Sequence, residues 1–189
     1  MNRRRAIGSI VLLGAGVAGA GSGWRQLRRL RYPELDRLDG HSALIAALAE
    51  TIIPATDTPG AIEAGVPAYI VKMVKEATDR RSQHNFLDGL EETDAVCHDR
   101  YGRPFTGCSA AERVAVLRDW ERASTGALAR LQRRWSGLPF YDLLRVYTVT
   151  GYCTSQPGAT QGLAYDFIPG TPFHGCLPLQ PGQRAWATF

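Results

Sequence analysis

Apolar residues recur at helical spacing along most of the chain. His41 to Ile53 carries Leu44, Ile45, Leu48 and Ile52 three and four positions apart, which predicts one buried helix face. Ser42 is a suitable N-cap and Pro54 a stop. Ala55 to Gly60 reads as a loop, since Pro59-Gly60 is a turn pair and the side chains of Asp57 and Thr58 suit bonding to nearby amides. Pro67 fits the first turn of the next helix, whose Tyr69, Ile70, Met73 and Val74 form an apolar stripe with Lys72 and Lys75 outward. After a polar break from Asp79 to Asn85, the residues Phe86, Leu87, Leu90, Asp94 and Cys97 keep the helical period until Gly102-Arg103-Pro104. Ser109 and Glu112 make a capping box, and the helix behind it points Val114, Leu117 and Trp120 inward. Leu138 to Val149 is the most apolar stretch of the body and predicts the central helix, although Val146, Tyr147 and Val149 also suit a strand.

The two ends of the chain behave differently. From Gly151 to Phe189 the helical period is lost outside Ala159 to Tyr165, and glycine, proline and aromatic residues take over. An irregular stretch of that length inside a compact domain is uncommon unless it binds something. Two readings stand: a docking surface for another chain, with Tyr152, Tyr165, Phe167 and Trp186 as aromatic anchors, or a tail that wraps its own helices. At the other end, Arg3, Arg4 and Arg5 precede a weakly apolar, glycine-rich stretch to Ala20, and Ala18-Gly19-Ala20 fits a small-x-small cleavage site. These are the three parts of an export signal. Consecutive arginines and a core of low hydrophobicity favour the twin-arginine route, which carries folded cargo. Gly14 to Gly19 also matches G-x-G-x-x-G, but the basic stretch Trp24 to Arg31 and then Tyr32-Pro33 follow it where a dinucleotide fold needs a helix and a second strand.

The expected architecture is therefore all-α: a leader over residues 1–23, an arm over 24–40 and a compact helical domain over 41–189, of which 151–189 is the irregular tail. No run of about 20 apolar residues free of glycine is present, which excludes a polytopic membrane protein. The net charge of +4 owes three of its positive charges to Arg3, Arg4 and Arg5. A body without them is nearly neutral and a poor nucleic-acid binder.

Four cysteines behind an export signal point to disulfides. Cys97 and Cys108 flank the short turn at Gly102 to Gly107, so that pair is favoured; in the chain-entropy model it is worth about 3 kcal/mol. Cys153 and Cys176 lie in the tail, and either pair with each other or leave one thiol for a partner chain. A zinc site from Cys97, His98, Cys108 and His84 is disfavoured because adjacent Cys-His cannot easily chelate one ion. His41, His84, His98 and His174 show no nucleophile–base spacing, and Glu91, Glu92 and Asp94 read as a solvated helix face.

Two segments carry a family resemblance. Leu48-Ala49-Glu50-Thr51-Ile52-Ile53-Pro54-Ala55-Thr56-Asp57-Thr58-Pro59-Gly60-Ala61, followed by Ala64-Gly65-Val66-Pro67, resembles the opening of the gluconate 2-dehydrogenase subunit 3 family. Gly151 to Ser155, Gly158 to Gln161, Tyr165-Asp166, Ile168-Pro169-Gly170 and Gly175-Cys176 resemble its closing motif. Together they span nearly all of residues 41–186. The departures are Gln156-Pro157, where an acidic and an apolar residue are common, and Cys153, where tyrosine is frequent.

The resemblance implies a small non-catalytic subunit with no cofactor of its own. It implies a partner flavoprotein of the glucose–methanol–choline (GMC) type that holds FAD, and often a multihaem cytochrome c subunit that passes electrons on. It also implies that Arg3 and Arg4, or Arg4 and Arg5, address the complex to the twin-arginine translocase, so that the catalytic subunit reaches the periplasm by riding on this chain and stays membrane-associated through the complex. Under this reading Cys153 is placed to bond to the large subunit. The competing classes are a free-standing periplasmic enzyme that uses a cysteine–histidine or metal site, and a structural helical protein of the envelope.

Overall fold

In the computed structural model, residues 32–125, 133, 135–164 and 181–186 are described. The chain divides into two units, Met1–Glu34 and Leu35–Phe189. Of the first, the described residues are Tyr32, Pro33 and Glu34, which have no regular structure. The second is helical: α1 (Arg37–Gly40), α2 (Ser42–Ile52), α3 (Val66–Glu76), α4 (Arg80–Tyr101), a 3₁₀ turn (Phe105–Gly107), α5 (Ala110–Thr125), α6 (Phe140–Thr154) and a π-helical turn (Gly158–Gly162). Among the described residues, extended pairing is limited to one isolated parallel bridge, Ala164 to Trp186.

The central helix is α6, which packs against α2, α3, α4 and α5. It buries Phe140, Leu143, Leu144, Thr148 and Tyr152. Burying each large apolar side chain contributes about 2 kcal/mol, so this one face supplies much of the cohesion of the domain. The strand alternative for Val146, Tyr147 and Val149 is excluded, because all three lie within α6. The crossing with α4 is close. A β-carbon on Gly89 would collide with the Phe140 ring, so only glycine lets the two helices approach this closely. Phe140 then stacks its ring 5.3 Å from Phe86 and 5.2 Å from Trp120, the latter edge-on. Trp120 donates its indole N–H to Thr93 Oγ1 at 3.1 Å, and Thr93 donates in turn to the Gly89 carbonyl at 2.6 Å. The polar atoms beside the aromatic cluster are thus paired.

Several boundaries differ from the sequence expectation. Ser42 is the first residue of α2 rather than its cap. The arm expected to reach Gly40 stops sooner: α1 is helical and Leu38 is fully buried in the core. The polar break expected from Asp79 to Asn85 shrinks, because Asp79 caps α4. Its carboxylate accepts from the amides of Arg81 at 3.0 Å and Ser82 at 3.2 Å. Gln83, polar but buried, donates to the Val74 carbonyl at 2.9 Å, and so closes the end of α3. In α5 the capping box forms as expected, with the Ser109 amide 2.7 Å from Glu112 Oε2 and the Glu112 amide 3.4 Å from Ser109 Oγ. Its inward face is Val116, Leu117 and Trp120, whereas Val114 is exposed. The irregular tail begins later than expected, since α6 runs through Gly151 and Tyr152 to Thr154.

Gly89→Ala should destabilise the domain by about 1–3 kcal/mol through overpacking against Phe140, read as a lower midpoint in denaturant unfolding. A second test concerns Asp79. Burial acts to raise its carboxyl, but the Ser82 hydroxyl, the Ser82 and Arg81 amides and the Arg81 charge outweigh burial and hold it below its ordinary 3.8. A depressed carboxyl stabilises the fold above its unfolded value, and that contribution is lost as pH falls through the folded one. Asp79→Ala should cost about 1 kcal/mol near neutral pH, and its deficit against the unchanged protein should shrink as the pH is taken below 3.8.

Candidate functional site

Helix α2 ends in a loop whose backbone is organised by one carboxylate. Glu50 projects from the last turn of α2, and its Oε1 accepts from the Ala55 amide at 3.0 Å while Oε2 accepts from the Ile62 amide at 2.9 Å. Gly60 lies so close that a β-carbon there would strike the carboxylate. The Ala61 amide donates to the Ile53 carbonyl at 2.9 Å and Thr56 N–H to the Thr58 carbonyl at 3.0 Å, so the loop closes on itself. Thr56 and Asp57 are left exposed at its tip, where the Thr56 hydroxyl donates to Asp57 Oδ1 at 3.0 Å.

The far end of α6 reaches this loop. Tyr152 donates its hydroxyl to the Pro59 carbonyl at 2.9 Å. The chain then turns so tightly that β-carbons on Gly158 and Gly162 would collide with the Tyr152 carbonyl and hydroxyl. Ser155 Oγ holds this turn, donating to the Tyr152 carbonyl at 2.7 Å and accepting from the Gly158 amide at 3.0 Å. The Ala164 amide donates to the Ala185 carbonyl at 2.8 Å, and Arg184 donates to the Gln161 carbonyl at 2.7 Å, which fastens residues 184–186 alongside. The two segments that carry the family resemblance, far apart in sequence, thus meet through one tyrosine.

Around this junction the surface is apolar in places. On α6, Val146 and Val149 are exposed, and they continue through Thr150 to half-buried Cys153 at positions i, i+3, i+4 and i+7 of one outer face. Trp186 is 51% exposed, which suits the anchor role expected of it. Tyr152 does not suit that role. Only 7% of it is exposed, and its ring and hydroxyl are spent on this chain's own loop. It is a clasp between the two segments rather than a side chain offered to another protein. Tyr165, Phe167 and Cys176 lie outside the described residues, as do Arg3, Arg4 and Arg5.

The cysteines occupy two different environments. Cys97, on α4, is buried, and so is Cys108, just after the 3₁₀ turn. The bond expected between them is not formed and both are free; the Cys108 thiol donates to the Pro104 carbonyl at 3.5 Å. Burial pushes the Cys97 thiol up to about 12, with the neighbouring Cys108 and Asp94 adding to it. Burial thus favours the protonated thiol over the nucleophilic thiolate. Its neighbour His98 is exposed, with Nδ1 3.2 Å from the Asp94 carbonyl. Among the described residues, no group of three or more histidine, cysteine or acidic side chains could hold a metal ion. None of their helices is long and apolar enough to cross a membrane.

Sequence reasoning named Trp186 as an anchor and Cys97–Cys108 as a disulfide, which is not formed, and gave Glu50 no role. The clue to it was a single carboxylate at the end of an otherwise apolar helix, directly before a Pro/Gly loop.

These features describe a small helical domain with exposed apolar groups on α6 and at Trp186. The family model for gluconate 2-dehydrogenase subunit 3 matches residues 39–170, and the chain belongs to that family. It is thereby related to one of the chains of a dehydrogenase complex. No curated protein and no solved structure matches it.

Tyr152→Phe should leave the Pro59 carbonyl without its donor and cost about 1 kcal/mol. Amide exchange of Ala61 and Ile62 should accelerate more than that of the α4 core, because the loss is local to the loop.

Proposed function

We propose that this chain is the non-catalytic small subunit of a periplasmic, flavin-dependent sugar or sugar-acid dehydrogenase. It helps a GMC-type catalytic subunit to mature and carries it out of the cell through the twin-arginine translocase. The family match over residues 39–170 carries this reading. FAD resides in the partner, and a multihaem cytochrome c subunit receives the electrons where one is present.

The chain's own part in this is burial of the partner's apolar surface. Trp186 and the outer stripe of α6 (Val146, Val149, Thr150 and Cys153) are the exposed groups suited to it. Aromatic anchors set in a desolvated patch dominate such interfaces. Cys153, half-buried on that stripe, is the thiol we assign to a disulfide with a cysteine of the large subunit, formed in the oxidising compartment. Arg3, Arg4 and Arg5 supply the address. Tyr165 and Phe167 remain proposed anchors beside Trp186.

The test is coexpression of the tagged chain with a GMC-type flavoprotein encoded beside it. Flavin absorbance should copurify from the periplasm, and should stay in the cytoplasm when Arg3, Arg4 and Arg5 are replaced by lysine. Trp186→Ala should weaken the complex by about 2 kcal/mol, or roughly thirtyfold in Kd. A chain that reaches the periplasm alone and without flavin overturns the reading in favour of a free-standing enzyme.

A further inference from the structure

We propose that the link into α6, residues 135–139, is a contact site for an anionic lipid surface, with Trp135 and Leu138 entering the lipid and arginines meeting its phosphates. Which membrane face it meets rests on the export reading above; the lipid chemistry does not.

The link is fixed to the first turns of α4 through its backbone. Arg81 donates to the Trp135 carbonyl at 2.9 Å, and Asn85 Nδ2 donates to the Ser136 and Leu138 carbonyls at 2.9 Å each. The Leu138 amide donates to Ser82 Oγ at 2.8 Å. Gly137 turns the chain in the left-handed region at φ 83°, and a β-carbon there would collide with the amide and hydroxyl of Ser82. These bonds hold the backbone down and leave two apolar side chains out: Trp135 is 74% exposed and Leu138 45%. A backbone ordered in advance lowers the cost of inserting them elsewhere.

Charge selects the occupant. The two stretches of sequence that meet here, 79–87 and 126–142, contain five arginines against two carboxylates, Asp79 and Asp142. Both carboxylates are engaged within the chain, since Asp79 caps α4 and Asp142 pairs with Arg133 at 2.6 Å. Arg80 and Arg81, at the start of α4, are exposed. Tryptophan concentrates where hydrocarbon meets headgroups, and each arginine near an anionic lipid surface adds attraction. Two apolar side chains are also too few for the core of a stable protein interface, which takes about 800 Å² from each partner. A lipid surface needs only that they insert. The link lies at the opposite end of α6 from Tyr152, about 20 Å away by the rise of a 15-residue helix. Trp186 is fastened near the Tyr152 end. One chain therefore has room for a protein partner at one end and a lipid surface at the other.

The test uses the purified full-length chain and vesicles of phosphatidylglycerol with phosphatidylethanolamine, against vesicles of phosphatidylcholine alone. Uptake by the anionic vesicles should exceed uptake by the neutral ones at least about tenfold, and should fall as salt is added. Replacing both Trp135 and Leu138 by alanine should weaken uptake about tenfold, and Arg80→Gln about fivefold. Trp186→Ala should leave uptake unchanged. Both apolar side chains are exposed, so their removal spares the core. The basic stretch Trp24 to Arg31 is common to every variant and adds attraction of its own, so quenching by bromine-labelled phosphatidylglycerol decides the site. It should quench the unchanged chain more than Trp135→Phe. No uptake by anionic vesicles, or equal quenching of these two chains, overturns the site. Equal quenching together with loss of a copurifying flavoprotein from the double alanine variant assigns the link to a protein partner instead. Vesicle uptake involves no flavoprotein and no translocation, so its failure is separate from failure of the subunit reading.

Discussion

The contact between Gly89 and Phe140 is the constraint on which the rest of the domain depends. The missing side chain on α4 lets the first residue of α6 sink between Phe86 and Trp120. That depth sets the height of α6 among its neighbours, and with it every contact further along. Leu143, Leu144 and Thr148 follow into the core at helical intervals, and Tyr152, three turns from Phe140, arrives within reach of the Pro59 carbonyl. The hydroxyl bond at the far end is a consequence of packing at the near end.

One helix therefore serves two purposes. Its inner face holds the domain together, and its outer face carries Val146, Val149 and Cys153 at the surface. A rigid support beneath exposed apolar groups lowers the conformational cost of binding, because few side chains must be ordered when a partner arrives. The loop after α2 gains similar rigidity from Glu50, which occupies amide donors that would otherwise be left to water.

Much of this was legible in the sequence. Leu44, Ile45 and Leu48 announced α2, the Ser109/Glu112 pair announced the start of α5, and the apolar run before Gly151 announced the central helix. The misreadings have identifiable physical causes. Asp79 looked like part of a polar break because an N-cap and a loop residue share the same chemistry, and only the amides it meets tell them apart. Val114 and Val116 are both apolar but lie on opposite sides of a helix with 3.6 residues per turn, and choosing Val114 turned the inward face of α5 by a fraction of a turn. Gly151 and Tyr152 were counted with the tail because glycine weakens a helix, yet packing overrides propensity there: a β-carbon at Gly151 would collide with Tyr69 of α3. Tyr152 looked like an anchor because an aromatic ring in a docking motif and one in a core are identical until its hydroxyl partner is known. The roles of Glu50 and Pro59 depend on tertiary contacts that no local pattern encodes.

The clasp also limits how the two motif segments can diverge over evolutionary time. Tyr152 touches the Pro59 carbonyl on one side and the backbone around Gly158 and Gly162 on the other, while Gly60 is pressed against Glu50. A substitution that adds bulk at any of these positions displaces the tyrosine or the carboxylate, and so disturbs the other segment as well. Lineages that lose the tyrosine should therefore be free to acquire a side chain at position 162, whereas position 158 faces the backbone carbonyl of residue 152 and stays closed to one.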